Sequence, residues 1–156
     1  MSDLKSEFLF DFDALLDESI DYGQTPYGQR IYARVSGGSF EGPKLKGRIL
    51  PGGGDWALIR SDGVLSIDVR ATLETDAGDR IHATYGGRLA VPPEHMTAVF
   101  DRETTETIDP AGYYFRTLPL FEAASDSACN WLNNIVAVGV GRVTSRGVAY
   151  RVYAIL

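Results

Sequence analysis

The sequence predicts an all-β fold, a single antiparallel β-barrel with one or two short helices. The chain has 156 residues and one cysteine, and a single core of this size is stable without disulfides. Its 17 glycines and eight tyrosines favour strands and turns over helices. From Val64 to Thr75 apolar and polar residues alternate with a period of two, which indicates a strand with one buried face.

The predicted strands follow one another along the chain and are joined by short turns. Glycines at positions 63, 78 and 147 mark three of these turns, where a positive φ is tolerated. The predicted strands are Phe8–Phe12, Arg30–Val35, Leu45–Leu50, Trp56–Arg60, Val64–Thr75, Ile81–Arg88, Tyr113–Thr117, Ile135–Val140 and Val148–Leu156.

Helical signals are confined to two places. Ala14–Ile20 is short and acidic, and Ser125–Asn133 begins with residues that can cap a two-turn helix. The polar segment Glu94–Pro110 is the longest predicted irregular loop. Loops of this length are commonly lids, binding loops or disordered segments.

Charge is unevenly distributed along the chain. Residues 1–21 contain seven acids and one lysine, whereas residues 22–156 contain fourteen charges of each sign. We therefore expect an acidic N-terminal extension at 1–27, with a short strand or helix, and a barrel domain at 28–156. No cluster of Lys and Arg marks a surface for nucleic acid or anionic lipid. With no long apolar run or leader pattern, no membrane partner and a cytoplasmic location are expected.

The polar strand faces favour a barrel over the alternative, a β-sandwich. Charges such as Arg34, Asp68 and Arg70 alternate with apolar residues. Buried charges need partners, and a barrel with a wet, polar lumen lets them converge. The opposite orientation is also open: if Leu65, Ile67 and Val69 line the lumen, the charged pair lies outside.

Several motifs together resemble the domain-of-unknown-function 3237 family over about residues 28–156. They are Ser36–Pro43, Gly47–Trp56, Asp62-Gly63, Leu73–Asp76, Tyr113–Thr117 and Trp131–Asn133, in this order. The resemblance implies a closed or nearly closed antiparallel barrel of the calycin or allene-oxide-cyclase kind, without a settled reaction. The first 27 residues and His82 depart from the family pattern.

Four residues are candidates for catalysis. Asp68 and Arg70 share one side of a strand, about 7 Å apart, so Arg70 can hold a carboxylate or carbonyl group while Asp68 moves a proton. Tyr113 can donate to a developing enolate, and His82 is a general base by its ordinary pKa. The alternatives are an ion pair internal to the barrel and a tyrosine whose hydroxyl is satisfied within the core.

The candidate binding residues lie around these. Asp55 and Trp56 follow three glycines, which permit a tight turn or a close approach of the backbone to a ligand. Trp131 and Asn133 place a stacking surface beside an amide, or else Trp131 plugs one barrel end. Two arginines complete this set: Arg34 and Arg116.

No cofactor and no metal are expected. The glycines at 52–54 match neither a phosphate-binding nor a dinucleotide-binding motif, and the two histidines lack metal-ligand spacing. We therefore predict a cofactor-free isomerase, cyclase or lyase acting by general acid–base catalysis on an aromatic or polyketide-like carbonyl compound in the lumen. The alternatives are a non-catalytic barrel that carries or sequesters such a ligand, and a structural protein that forms a homo-oligomer through exposed strand edges.

Overall fold

The computed structural model describes residues 3–156, which form a closed antiparallel barrel of eight strands in sequence order. Each strand pairs with the next, and β1 also pairs with β8, so the wall is continuous. The predicted all-β barrel is confirmed. The strands are β1 (Ser6–Thr25), β2 (Gly28–Glu41), β3 (Lys46–Ile59), β4 (Leu65–Thr75), β5 (Arg80–Ala90), β6 (Tyr114–Ala123), β7 (Val136–Thr144) and β8 (Gly147–Ile155).

The acidic N-terminal segment is part of the barrel wall. β1 pairs with β8 from Ser6 to Leu15 and with β2 from Asp11 to Thr25. The predicted helix over Ala14–Ile20 is therefore wrong, because strand partners on both sides outweigh a weak local helix propensity. Residues 6–25, which the sequence places in an extension before the barrel, supply one of its strands.

The helical segments differ from those predicted. The segment predicted as irregular begins with α1 (Pro93–Val99), followed by 3₁₀ turns at Thr105–Thr107 and Pro110–Gly112. The two-turn helix predicted over Ser125–Asn133 is a 3₁₀ turn at Asn130–Asn134 only. Before this turn, the Ser127 hydroxyl donates to Asp79 (2.8 Å) and accepts from the Cys129 N–H (2.9 Å).

The glycine-rich segments are irregularities within strands. β3 continues through Gly52–Gly54, so two predicted strands are one, and a Cβ on Gly54 would lie 2.2 Å from the ring of Tyr32. The three glycines therefore form no turn, and Gly54 lets the β3 backbone approach the ring of Tyr32 closely. Gly37 and Gly38, with positive φ, lie within β2.

The barrel interior has two differently filled halves. In one half aromatic rings pack with centroid separations of 5.2–6.4 Å and exclude open space. This aromatic half consists of Phe10, Phe12, Phe40, Tyr85, Phe115, Phe121 and Tyr150. The other half contains an open cavity lined almost entirely by apolar side chains.

The expected wet, polar lumen is wrong. On β4, Ile67, Val69 and Ala71 are buried, whereas Asp68 and Arg70 are exposed. The opposite orientation left open by the alternation is therefore the one adopted. Its physical reason is that removing ionised groups from water costs more free energy than the barrel can recover by pairing them inside.

Candidate active site in the barrel lumen

The open half of the lumen is a cavity of about 470 Å³. Small-molecule sites commonly occupy about 300–1,000 Å³. All eight strands contribute to its lining, and α1 with the residue that follows it adds Met96 and Phe100. The strand residues are Leu16, Ile31, Ala33, Asp55, Ala57, Ile59, Leu65, Ile67, Leu89, Phe115, Val143, Gly147 and Val148.

Among residues 3–156, Asp55 is the only ionisable residue that lines this cavity. The register of β3 against β4 shifts between Leu50 and Gly54, and Asp55 follows directly after this irregularity. Bulges of this kind redirect side chains and are common beside active sites. Here the bulge leaves Asp55 on the inner face with Ala57 and Ile59.

Side chains replace part of the β3–β4 backbone ladder next to Asp55. Pairing holds at Asp55 and Val69 and resumes only at Leu58 and Ser66. In the gap, the Asp68 N–H donates to Asp55 Oδ1 (3.0 Å), and an Arg30 N–H donates to the Trp56 carbonyl oxygen (2.8 Å). Within residues 3–156, no hydrogen bond engages the other carboxyl oxygen of Asp55, Oδ2. The carboxyl is thus oriented by one oxygen and available through the other.

Burial raises the pKa of Asp55 to about 6. The hydrogen bond from the Asp68 N–H opposes this rise, and the negative charge of Asp68 adds to it. An apolar surrounding disfavours the ionised carboxylate, as it does for the carboxyl acids of several hydrolases and isomerases. Asp55 can therefore both accept and donate a proton near neutral pH.

Two buried tyrosines lie on the aromatic side of the cavity. Burial raises the pKa of Tyr85 and of Tyr150, and the negative charge of Asp55 adds to both shifts. A hydrogen bond joins the two side chains, and their ring centroids are 5.6 Å apart. Both hydroxyls therefore stay protonated at any ordinary pH and can donate hydrogen bonds.

The structure places the predicted catalytic residues away from the cavity. Asp68 and Arg70 form an exposed ion pair on the outer wall (3.3 Å). His82 is exposed on the same wall, in register with Thr72. Tyr113 is buried, but its hydroxyl oxygen accepts the Val143 N–H (3.0 Å) and serves the fold.

The predicted binding residues, apart from Asp55, also lie outside the lumen cavity. Arg34 Nε donates to Asp17 Oδ1 (3.0 Å), and Arg116 lies over the Tyr114 ring at 5.1 Å. The rings of Trp56 and Tyr32 are in contact, tilted by 39° with centroids 5.0 Å apart. Trp131 lies under the Lys44 ammonium at 5.4 Å, and the Asn133 amide pairs with both backbone groups of Ala123 (2.9 Å each). The structure therefore brings only Asp55, of the whole predicted set, to the lumen.

The residues that accompany Asp55 are not among the predicted ones. Tyr85 has a usable sequence signal, because it shares the inner face of β5 with Ile81 and Ala83 at a period of two. Met96 and Phe100 have no such signal. Their place at the cavity follows from how α1 packs over the barrel end, which is a tertiary property.

No helix in the described part of the chain, residues 3–156, has the length and apolarity needed to cross a membrane.

Comparisons with known proteins agree with this barrel. An uncharacterised UPF0311 protein of Clostridium acetobutylicum is 32% identical over 139 residues, which cover 88% of this chain and 85% of that protein. A solved protein of unknown function from Rhodopseudomonas palustris superposes with a TM-score of 0.90 at 25% identity, covering 100% of both chains. A solved beta-barrel like protein from Acinetobacter baumannii has a TM-score of 0.84 at 32% identity, covering 100% of this chain and 98% of the other.

A more distant likeness concerns the fold alone. A solved protein of Penicillium herquei, described as an enzyme, has a TM-score of 0.71 at 19% identity, covering 100% of this chain and 97% of the other.

The family described as "Protein of unknown function (DUF3237)" matches residues 4–155. The match therefore includes β1, which the motif resemblance over about residues 28–156 leaves out. The chain belongs to the DUF3237 family.

Proposed function

We propose that this protein is a cofactor-free enzyme that moves a proton on an apolar carbonyl compound held in the barrel lumen. Asp55 is the proton-transferring group. The observation that carries the proposal is one carboxyl with a pKa of about 6 in a cavity of about 470 Å³ that is otherwise apolar. Carboxyl groups whose pKa is raised by burial are typical of acid–base sites.

The reaction begins with the Asp55 carboxylate. Oδ2 takes a proton from the carbon next to the carbonyl group, which leaves an enolate and a neutral Asp55. Returning the proton to a different carbon gives an isomer and restores the carboxylate. Cyclisation or elimination starts from the same enolate, so isomerase, cyclase and lyase chemistry share this first step.

The lining restricts the class of substrate. Side chains such as Ile31, Ile67 and Leu89 offer dispersion contacts and no hydrogen bonds, so charged sugars or phosphates would lose their hydration without compensation. An aromatic or polyketide-like compound with an acidic C–H group matches both the apolar wall and the single carboxyl. The enzyme of Penicillium herquei is consistent with catalysis on this fold and implies no particular substrate.

A second function, carrying or sequestering the same class of ligand, has one observation in its favour. The hydroxyls of Tyr85 and Tyr150 bond to each other, and neither residue lines the open cavity. An enolate therefore meets no hydrogen-bond donor among the side chains of residues 3–156 that line the cavity, apart from Asp55 itself once it is protonated. A barrel that only binds ligands needs no such donor.

The experiment that separates these functions is proton exchange in D₂O, followed by NMR with benzylacetone as the probe. We expect the wild-type protein to accelerate loss of the protons next to the carbonyl, and Asp55→Asn to reduce this about 100-fold or more. Asp11→Asn, an outer-wall carboxyl paired with Arg151, is the matched control and should exchange like the wild type. Binding without exchange would establish the carrier function instead. Equal exchange by wild type and Asp55→Asn would overturn the catalytic role.

A further inference from the structure

Thr105 has a buried hydroxyl that the fold leaves without a partner. The residue is 1% exposed, and its Oγ1 is the one buried side-chain oxygen or nitrogen within residues 3–156 that makes no hydrogen bond. Its backbone is satisfied, because its N–H donates to the Asp101 carbonyl oxygen (2.8 Å) and its own carbonyl oxygen accepts from Ile108 (3.2 Å). The unmet hydrogen bond is thus confined to the hydroxyl.

The neighbouring threonines make the contrast clear. The Thr104 hydroxyl donates to the Ala98 carbonyl oxygen (2.9 Å), and the Thr107 hydroxyl donates to the Thr104 carbonyl oxygen (2.6 Å). An unpaired buried hydroxyl costs folding free energy, whereas an apolar isostere at the same place avoids that cost. Each such group in a folded protein therefore requires an explanation, such as a bound water, an ion or a functional role.

Thr105 lines a side cavity of about 140 Å³ that adjoins the lumen cavity. The two cavities share four lining residues: Leu16, Phe100, Val143 and Gly147. Arg102 also lines the side cavity, and its guanidinium donates to the Leu16 carbonyl oxygen (2.9 Å). Arg102 and Thr105 therefore lie together at one side of the lumen, and Asp55 lies on the lumen wall itself.

We propose that the side cavity is a second binding subsite, in which Thr105 and Arg102 hold an oxygen substituent of the molecule that occupies the lumen. The ligand is accordingly an apolar compound with two oxygen functions: a carbonyl group, whose neighbouring C–H group contacts Asp55, and a distal hydroxyl or carbonyl group, which contacts Thr105. This inference rests on the proposed function, because it assigns a second contact to the same ligand. It also gives a reason for an arrangement that folding alone disfavours.

The first test needs no ligand. Thr105→Val removes the unpaired hydroxyl with little change of shape, and Thr104→Val removes a bonded one. We expect the melting temperature of Thr105→Val to equal or exceed that of the wild type, and that of Thr104→Val to fall. An equal fall for both variants would mean that Thr105 already has a structural partner, such as an ordered water, and would overturn the subsite.

The second test compares benzylacetone with its para-hydroxy derivative by isothermal titration calorimetry. We expect Thr105→Val to weaken binding of the para-hydroxy compound about five-fold, Thr105→Ser to restore it, and benzylacetone to bind wild type and Thr105→Val alike. Unchanged affinity of Thr105→Val for both compounds overturns the subsite and leaves the proposed function standing. Absence of binding by both compounds to the wild type overturns the two together. The expected affinity pattern without proton exchange supports the subsite and overturns only catalysis.

Discussion

Asp55 and Tyr85 lie in one transverse row of the barrel wall, separated by Val69 on the strand between them. Neighbouring strands are about 4.8 Å apart, so the two Cα atoms are roughly 10 Å apart with Asp55 and Tyr85 directed to the same interior. The row lies where the open cavity meets the aromatic half. The carboxyl is therefore placed against a packed layer that holds its position and excludes water from one side.

Asp55→Asn should stabilise the protein at neutral pH. Above about pH 6 the carboxyl is ionised in both the folded and the unfolded chain, and only the folded chain bears the cost of burial. As the pH falls below 6, the folded chain takes up the proton before the unfolded chain, whose pKa is near 3.8, so this cost disappears. We expect the variant to gain on the order of 1–2 kcal/mol in unfolding free energy at pH 7.5.

Chemical denaturation at several pH values measures this gain. The difference between Asp55→Asn and wild type should shrink steadily from pH 7.5 to pH 4.5, and Asp11→Asn should not reproduce it. A variant that is less stable than the wild type across this range would contradict a destabilising buried charge at Asp55.

The rate of proton exchange should follow the ionisation of Asp55. Because the carboxylate is the base, the rate should rise with pH through an apparent pKa of about 6 and then level off. The charge of Asp68 contributes to that raised pKa from the outer wall. Asp68→Asn should therefore move the midpoint to lower pH and leave the plateau unchanged. A loss of the plateau in this variant would show that Asp68 takes part in the reaction directly.

Filling the lumen should remove ligand binding and leave the fold intact. Ala57 lines the cavity, and Ala57→Phe places an aromatic ring in open space. We expect the affinity for benzylacetone to fall at least ten-fold, with a melting temperature close to that of the wild type. Thr72→Phe, on the outer face of β4, is the matched control and should bind normally. If Ala57→Phe binds as the wild type does, the ligand occupies another site.

Asn133 should be needed for stability and not for binding. Its side-chain amide pairs with the N–H and the carbonyl oxygen of Ala123, at the end of β6 where the β6–β7 ladder is limited to Arg116 and Thr117. Asn133→Ala should lower the unfolding free energy by about 1–2 kcal/mol. Asn134→Ala, one residue further along, should lower it much less. Equal losses in denaturant titrations of the two variants would rule out this role.

The alternation of residues is the strongest signal that the sequence contains. Val64–Thr75 is predicted as a strand and contains the whole of β4, with the predicted alternation of buried and exposed residues. The closed barrel follows from many short strands and turns, and it is confirmed. The strands and turns depend on interactions close in sequence, where backbone preference and side-chain period act directly.

The acidic segment shows where local reasoning fails. Ala14–Ile20 has a weak helical signal, yet it forms part of β1, and Leu15 pairs with Gly147 on the adjacent strand β8. A local sequence pattern cannot predict a contact between residues so far apart in sequence. The stabilisation it brings exceeds a propensity difference of about 0.7 kcal/mol per residue.

The sequence by itself determined the fold class and the two faces of β4. Only the tertiary structure decided which face is inside, because a period of two describes both orientations equally and closure of the wall selects the one that leaves Asp68 and Arg70 in water. Tertiary structure likewise made Asp55 the lumen residue. The bulge after Leu50 and the side-chain hydrogen bonds that replace part of the β3–β4 ladder direct the Asp55 carboxyl into the lumen. The other predicted site residues lie outside the lumen cavity.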